Sequence, residues 1–240
     1  MQFFRTFEAH LNDHKSTQFV KTDTSKYTHI IWDWNGTLLN DNWLCVEVMN
    51  TMLAERSLPL LTLDRYRDIF DFPVKDYYLK LGFDFQKESF EIVGMDFMNR
   101  YNRWQKECRL HEDAINSLKC IAKNGYRQSI LSAREQQELR QETIDLGVST
   151  FFDHVNGLDD HYAQGKTDVG INLLRKLNID KGKALFIGDT RHDAEVAKEL
   201  AIDCILIPNG HHSEPRLIET GFPIVRSLNE LSALLCNPAC

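Results

Sequence analysis

Apolar residues run along this chain in two rhythms. Short, nearly continuous apolar runs occupy 28–33, "SILSA" at 129–133, 153–158, "ALFIGD" at 184–189, "CILIP" at 204–208 and "IVRS" at 224–227. Bounded by turn residues such as Asn35-Gly36, such runs have the profile of strands buried on both faces. Between them apolar positions recur at helical spacing. They are Ala114, Ile115, Leu118, Ile121 and Ala122 before a stop at Gly125, then about Glu135 to Gly147, Leu173 with Leu174 and Leu177, and Val196 with Ala197 and Leu200. Strands alternating with helices predict right-handed crossovers and an α/β fold, a doubly wound, mostly parallel sheet covered on both faces.

Two segments break the alternation. Residues 40–110 are dominated by aromatic and charged residues, with a helical pattern at Cys45, Val48, Met49, Met52 and Leu53 and turn signals at Pro59, Pro73 and Gly82. They predict a compact helical insert, in which "FDFPVKDYYLKLGFDF" supplies the insert's own core. Residues 1–26 place Phe3, Phe4, Phe7 and Leu11 near helical spacing ahead of a polar stretch, which predicts an N-terminal extension with one helix. The expected organisation is thus an extension (1–26), an α/β core (27–39 and 111–240) and an inserted helical domain (40–110).

Charge narrows the partners. Lys and Arg number 28 against 35 Asp and Glu, a net charge of −7 without a basic run, which argues against nucleic acid. No apolar stretch approaches the roughly 20 residues that cross a bilayer, so a membrane span is not expected and a cytoplasmic location is the default. The six cysteines are scattered, as reduced thiols are, rather than spaced as a zinc site.

Ligands of open parallel sheets sit beyond the carboxyl ends of the strands. Asp33, Ser132 and Asp189 each close an apolar run, so all three project from one edge of the sheet, and Lys166 in "AQGKTDVG" reaches it from a helix start. Asp33 read alone is a turn residue, and Asp189 and Asp193 read alone are helix caps. Together, a carboxylate pair, a hydroxyl and an ammonium are what phosphoryl transfer requires.

"DWNGT" at 33–37, Ser132 in "SILSA", Lys166 in "GKTD" and "GDTRHD" at 188–193 resemble the four ordered motifs of the haloacid dehalogenase superfamily, closest to phosphoglycolate phosphatase-like hydrolases. The resemblance covers roughly residues 27–235 and implies a Rossmann-like core with the insert as a cap domain. It makes Asp33 the nucleophile that accepts the phosphoryl group, and Ser132 and Lys166 its catalytic partners. Gly36, Thr37, Ser132, Ala133 and Lys166 would bind phosphate, and Asp33, Asn35, Asp189 and Asp193 would hold Mg²⁺. The implied substrate is a small phosphorylated metabolite, handled by a monomer or homodimer.

Asn35 departs from the pattern, because phosphatases of this superfamily usually carry there a second aspartate that protonates the leaving alcohol. A carboxamide cannot, and positioned acid–base groups are typically worth about 10²- to 10⁴-fold. His192, His211 or His212 is a candidate substitute, and acyl or aryl phosphates would not need the acid. Otherwise Asn35→Asp is expected to raise turnover. The alternatives are carbon–phosphorus hydrolysis through an imine on Lys75, Lys80 or Lys87, and a low-turnover phosphate-binding or regulatory protein. Arg134 is expected to be solvated, with substrate contact as its alternative role.

Overall fold

The computed structural model describes residues 24–158 and 165–236, so the helix expected in the N-terminal extension lies outside the described residues. Strand β1 (His29–Trp32) leads through a turn into β2 (Leu39–Asn40), then helices α1 (Asn42–Glu55), α2 (Leu63–Ile69), α3 (Val74–Leu81) and α4 (Phe90–Trp104). The chain returns by β3 (Arg109–Leu110) and continues with α5 (Ala114–Lys123), β4 (Arg127–Glu135), α6 (Gln136–Asp145), β5 (His154–Leu158) and α7 (Lys166–Leu177). It ends with β6 (Ala184–Gly188), α8 (Arg191–Leu200), β7 (Asp203–Leu206), α9 (Glu214–Ile218) and α10 (Leu228–Leu235).

The main sheet is parallel, in the order β5-β4-β1-β6-β7. The first strand is therefore its centre, and Ile30, Ile31 and Trp32 are wholly buried between two apolar layers. That is why their sequence shows no alternation. Trp32 pairs with Ile130 of β4 and Ile187 of β6, so Asp33, Ser132 and Asp189 follow at nearly one level. The register of β4 shifts between Leu131 and Glu135, a bulge that takes Ser132 off the regular ladder where the site begins.

The expected strand at 224–227 does not form. Ile224 makes one isolated parallel bridge to Leu206. Pro223 beside it has no N–H to donate, so the ladder cannot extend upstream.

The insert departs and returns through an antiparallel ribbon, Leu39 opposite Leu110 and Asn40 opposite Arg109. Its aromatics pack on one another, Tyr78 stacked with Phe83 and Tyr66 with Phe70. Tyr66, Phe70 and Phe72 also touch His211, His212 and His192 of the core, so the same rings form the insert's interior and its seat on the sheet.

His29 gives the fold an acid weakness. Its Nε2 lies 2.9 Å from Ser129 Oγ, and its buried Nδ1 has no partner among the described residues. Burial, chiefly, holds its pKa down at about 4. A folded pKa below the unfolded value of about 6.5 means that the unfolded chain takes the proton first. The stability is therefore intact above about pH 6.5 and is lost as pH falls toward 4, to a total of about 3 kcal/mol. Melting curves should fall steeply over that window in the parent and less steeply in His29→Gln.

Candidate active site

The strand ends converge on one ammonium. Lys166, the first residue of α7, is buried with Nζ 2.5 Å from Asp33 Oδ1 and 2.6 Å from Asp193 Oδ1. A cation at a helix start opposes the helix dipole, so this placement is held by its two carboxylates. Asp193 Oδ2 accepts from the Thr190 N–H at 2.9 Å and from Thr190 Oγ1 at 2.7 Å, which closes a capping box on α8. Asp189 is wholly buried: its Oδ1 accepts from Thr37 Oγ1 at 2.7 Å and its Oδ2 from the His211 N–H at 2.6 Å. Ser132 Oγ accepts the Arg134 N–H at 3.1 Å, which leaves its own proton to give.

Asp33, Asp189 and Asp193 each bring a carboxylate oxygen within 4.8 Å of the others, all three residues buried. Burial raises Asp33 above the usual carboxylate range; Lys166 opposes the rise, and Asp193 and Asp189 add to it. Burial likewise raises Asp189, against the pull of His211. Burial works against Asp193 too, but Lys166 outweighs it and holds that carboxyl low. Three buried carboxylates around one ammonium leave a surplus of negative charge. An all-oxygen, anionic donor set of this kind fits a hard divalent cation.

A family model described as haloacid dehalogenase-like hydrolase matches residues 30–207, a span that includes Asp33, Ser132, Lys166, Asp189 and Asp193. The chain belongs to the haloacid dehalogenase-like hydrolases. Among similar hydrolases, pyrophosphatase PpaX of Listeria monocytogenes serotype 4a (strain HCC23) is 28% identical over 186 residues, 73% of this chain and 80% of its own length. Phosphoglycolate phosphatase of Rhodobacter capsulatus is 22% identical, over 85% of this chain and 94% of its own. A haloacid dehalogenase-like hydrolase from Streptococcus pneumoniae shares the fold with a TM-score of 0.75 at 21% identity, over 88% of this chain and 99% of the other.

Several residues of this haloacid dehalogenase-like hydrolase differ from their sequence-based roles. The Gly36 N–H is not open to phosphate, because it donates to Leu39 O and Asp41 Oδ1, both at 2.9 Å. Gly36 is needed for space instead: its φ is +76°, and a Cβ there would strike the Asp189 carboxylate and the His211 ring. The Thr37 hydroxyl donates to Asp189. Ala133, half-buried, sits in the β4 bulge beside Ser132.

Arg134 is neither solvated nor free for substrate. It is 6% exposed, with Nε 2.9 Å from Glu142 Oε1 and Nη1 3.1 Å from Glu138 Oε2. Its Nη2 donates to Asn102 and Gln105 of the insert, and its guanidinium lies over the Tyr101 ring. Glu142 also accepts from Trp34 Nε1 at 2.7 Å, so one buried chain links the residue after Asp33 to α4.

The histidines divide. Burial, aided by Arg216, holds His212 down at about 3, and its Nδ1 accepts the Arg191 N–H, so it stays neutral. Burial also lowers His211, but Asp41 outweighs it and holds it up at about 9, with the Tyr66 hydroxyl 2.9 Å from its Nδ1. His192 is half-buried against Phe72. Lys75, Lys80 and Lys87 are exposed on the insert, so none is a buried amine near Asp33.

Sequence reasoning missed Asp41. It begins α1, where Asp reads as an N-cap, yet its side chain makes no capping bond and turns back to Asn35 and Gly36.

Proposed function

We propose that the protein is a Mg²⁺-dependent hydrolase of small phosphate monoesters that works through an aspartyl phosphate on Asp33. The observation that carries the reading is the convergence of Asp33, Asp189, Asp193 and Lys166 from the ends of β1 and β6 and the starts of α8 and α7. The phosphatase relatives support it, and the absence of any helix long and apolar enough to cross a membrane, among the described residues, is compatible with cytoplasmic work on a soluble metabolite.

In this reading the Asp33 carboxylate attacks phosphorus while the ester P–O bond breaks and its electrons leave with the alcohol oxygen. Lys166 balances the nucleophile and the transferred group, and Ser132 donates its hydroxyl proton to a phosphoryl oxygen. Asp33, Asp189 and the Asn35 backbone carbonyl would hold Mg²⁺, which when bound would supply neutralisation of the phosphoryl charge. Asp193, whose two oxygens are committed to Lys166 and Thr190, orients Lys166 from behind.

No acid serves the leaving group. Asn35 is a carboxamide, Asp41 is held low, at about 2, by His211 and its hydrogen bonds in spite of burial, His211 is held up but has both ring nitrogens turned to Asp41 and Tyr66, and His212 is neutral. Substrates whose leaving group departs as a stable anion should therefore lead. In a phosphate-release screen with Mg²⁺, acetyl phosphate and p-nitrophenyl phosphate are expected to exceed alkyl monoesters by about 10²-fold in kcat. Chelation by EDTA should stop release. Equal rates across leaving groups would show that a proton donor is present.

A further inference from the structure

We infer that Asp41 is a positioning residue acting through Asn35: it fixes the carboxamide with its oxygen outward, to accept a hydrogen bond from the water that attacks phosphorylated Asp33. The inference deepens the phosphatase reading and rests on it.

Asp41 is 1% exposed and uses both oxygens. Its Oδ1 accepts the Gly36 N–H at 2.9 Å and faces His211 Nε2 at 3.4 Å. Its Oδ2 accepts Asn35 Nδ2 and the Tyr101 O–H, each at 2.8 Å. Tyr101 has thereby spent its proton, so its oxygen accepts from Asn35 Nδ2 at 3.0 Å. The inner end of the Asn35 amide thus meets two acceptors and no donor. Only one amide orientation satisfies them, because a flip would press the amide oxygen against the Asp41 carboxylate. The Asn35 oxygen consequently points away from Asp41 and Tyr101, and no described residue donates to it.

Asn35 lies two residues past the nucleophile. Its oxygen accepts one O–H of the water and aims the lone pair without taking the proton. The water oxygen bonds to phosphorus, the bond between phosphorus and the Asp33 oxygen breaks, and Asp33 recovers its carboxylate. Both water hydrogens end on the product, dihydrogen phosphate, so the step balances without a protein base.

The same geometry explains why an amide stands at 35. An aspartate there would set a second carboxylate 2.8 Å from the buried Asp41 in a half-buried place. Asn35→Asp alone is therefore not the simple gain that the sequence suggests.

The test moves the charge between the two positions. In Asp41→Asn the new amide keeps its oxygen for Gly36 N–H and His211 and turns its nitrogen on Asn35. Asn35 then flips and offers the water a donor instead of an acceptor. kcat is expected to fall about 10- to 100-fold with KM within about twofold. Asn35→Asp should lower the melting temperature by about 4 °C or more. The double variant N35D/D41N keeps both shapes and restores one donor facing one acceptor, so its melting temperature should return to within about 2 °C of the parent. Parental kcat in Asp41→Asn, or a double variant no more stable than Asn35→Asp, overturns the inference. A parent that releases no phosphate sinks the phosphatase reading itself, whereas an active parent beside an unimpaired Asp41→Asn sinks the positioning role alone.

Discussion

Asp33→Asn releases phosphate at least about 10⁴-fold more slowly than the parent, and folds as well or better. The kinetic half follows from the attack: an amide oxygen does not displace an alcohol from phosphorus, and among the described residues Asp193 and Asp189 are the nearby carboxylates, each tied down by its own donors. The stability half follows from burial. Asp33 is pushed toward its protonated form by desolvation and by two like charges, so an uncharged isostere relieves the site while still accepting from Lys166. A phosphate-release assay beside a melting curve reads both halves. Parental turnover in this variant would remove Asp33 from the chemistry altogether.

The largest stability effect belongs to Lys166. Lys166→Met removes the ammonium from between Asp33 and Asp193 and strands buried carboxylates, a loss of about 3–5 kcal/mol. At this chain length that is a fall in melting temperature of very roughly 6–20 °C. The sign of the pH dependence is fixed. Stranded carboxylates have folded pKa values above the unfolded ones, so the penalty is greatest near neutrality and shrinks as pH falls and they take up protons. Added Mg²⁺ should shrink it as well. A variant that melts with the parent at pH 7.5 would mean that the two ion pairs do not hold the site together.

Much of this site was legible because its residues stand at the ends of apolar runs. Asp33, Ser132 and Asp189 each follow such a run, and strand register alone then brings them to one level. Lys166 was legible as a cation at an unfavourable helix start. What escaped lay in contacts between segments far apart in sequence. Nothing local marks Tyr101 as a partner of Asp41, sixty residues away. Arg134 left a trace that could have been used, since Glu138 and Glu142 follow it at helical spacing and pair with it along one face of α6. The strand that failed at 224–227 carried its own warning in Pro223.

Arg134 also decides how the insert can part from the sheet. Both of its counter-charges, Glu138 and Glu142, ride on α6, while its links to the insert are two neutral amides and a phenol ring. Lifting the insert therefore parts Arg134 from no opposite charge, whereas it must part Asp71 from Arg216 and Asp41 from His211. At Arg134 the insert lets go only of uncharged groups that water can serve, so the cost of parting falls on those two charged contacts.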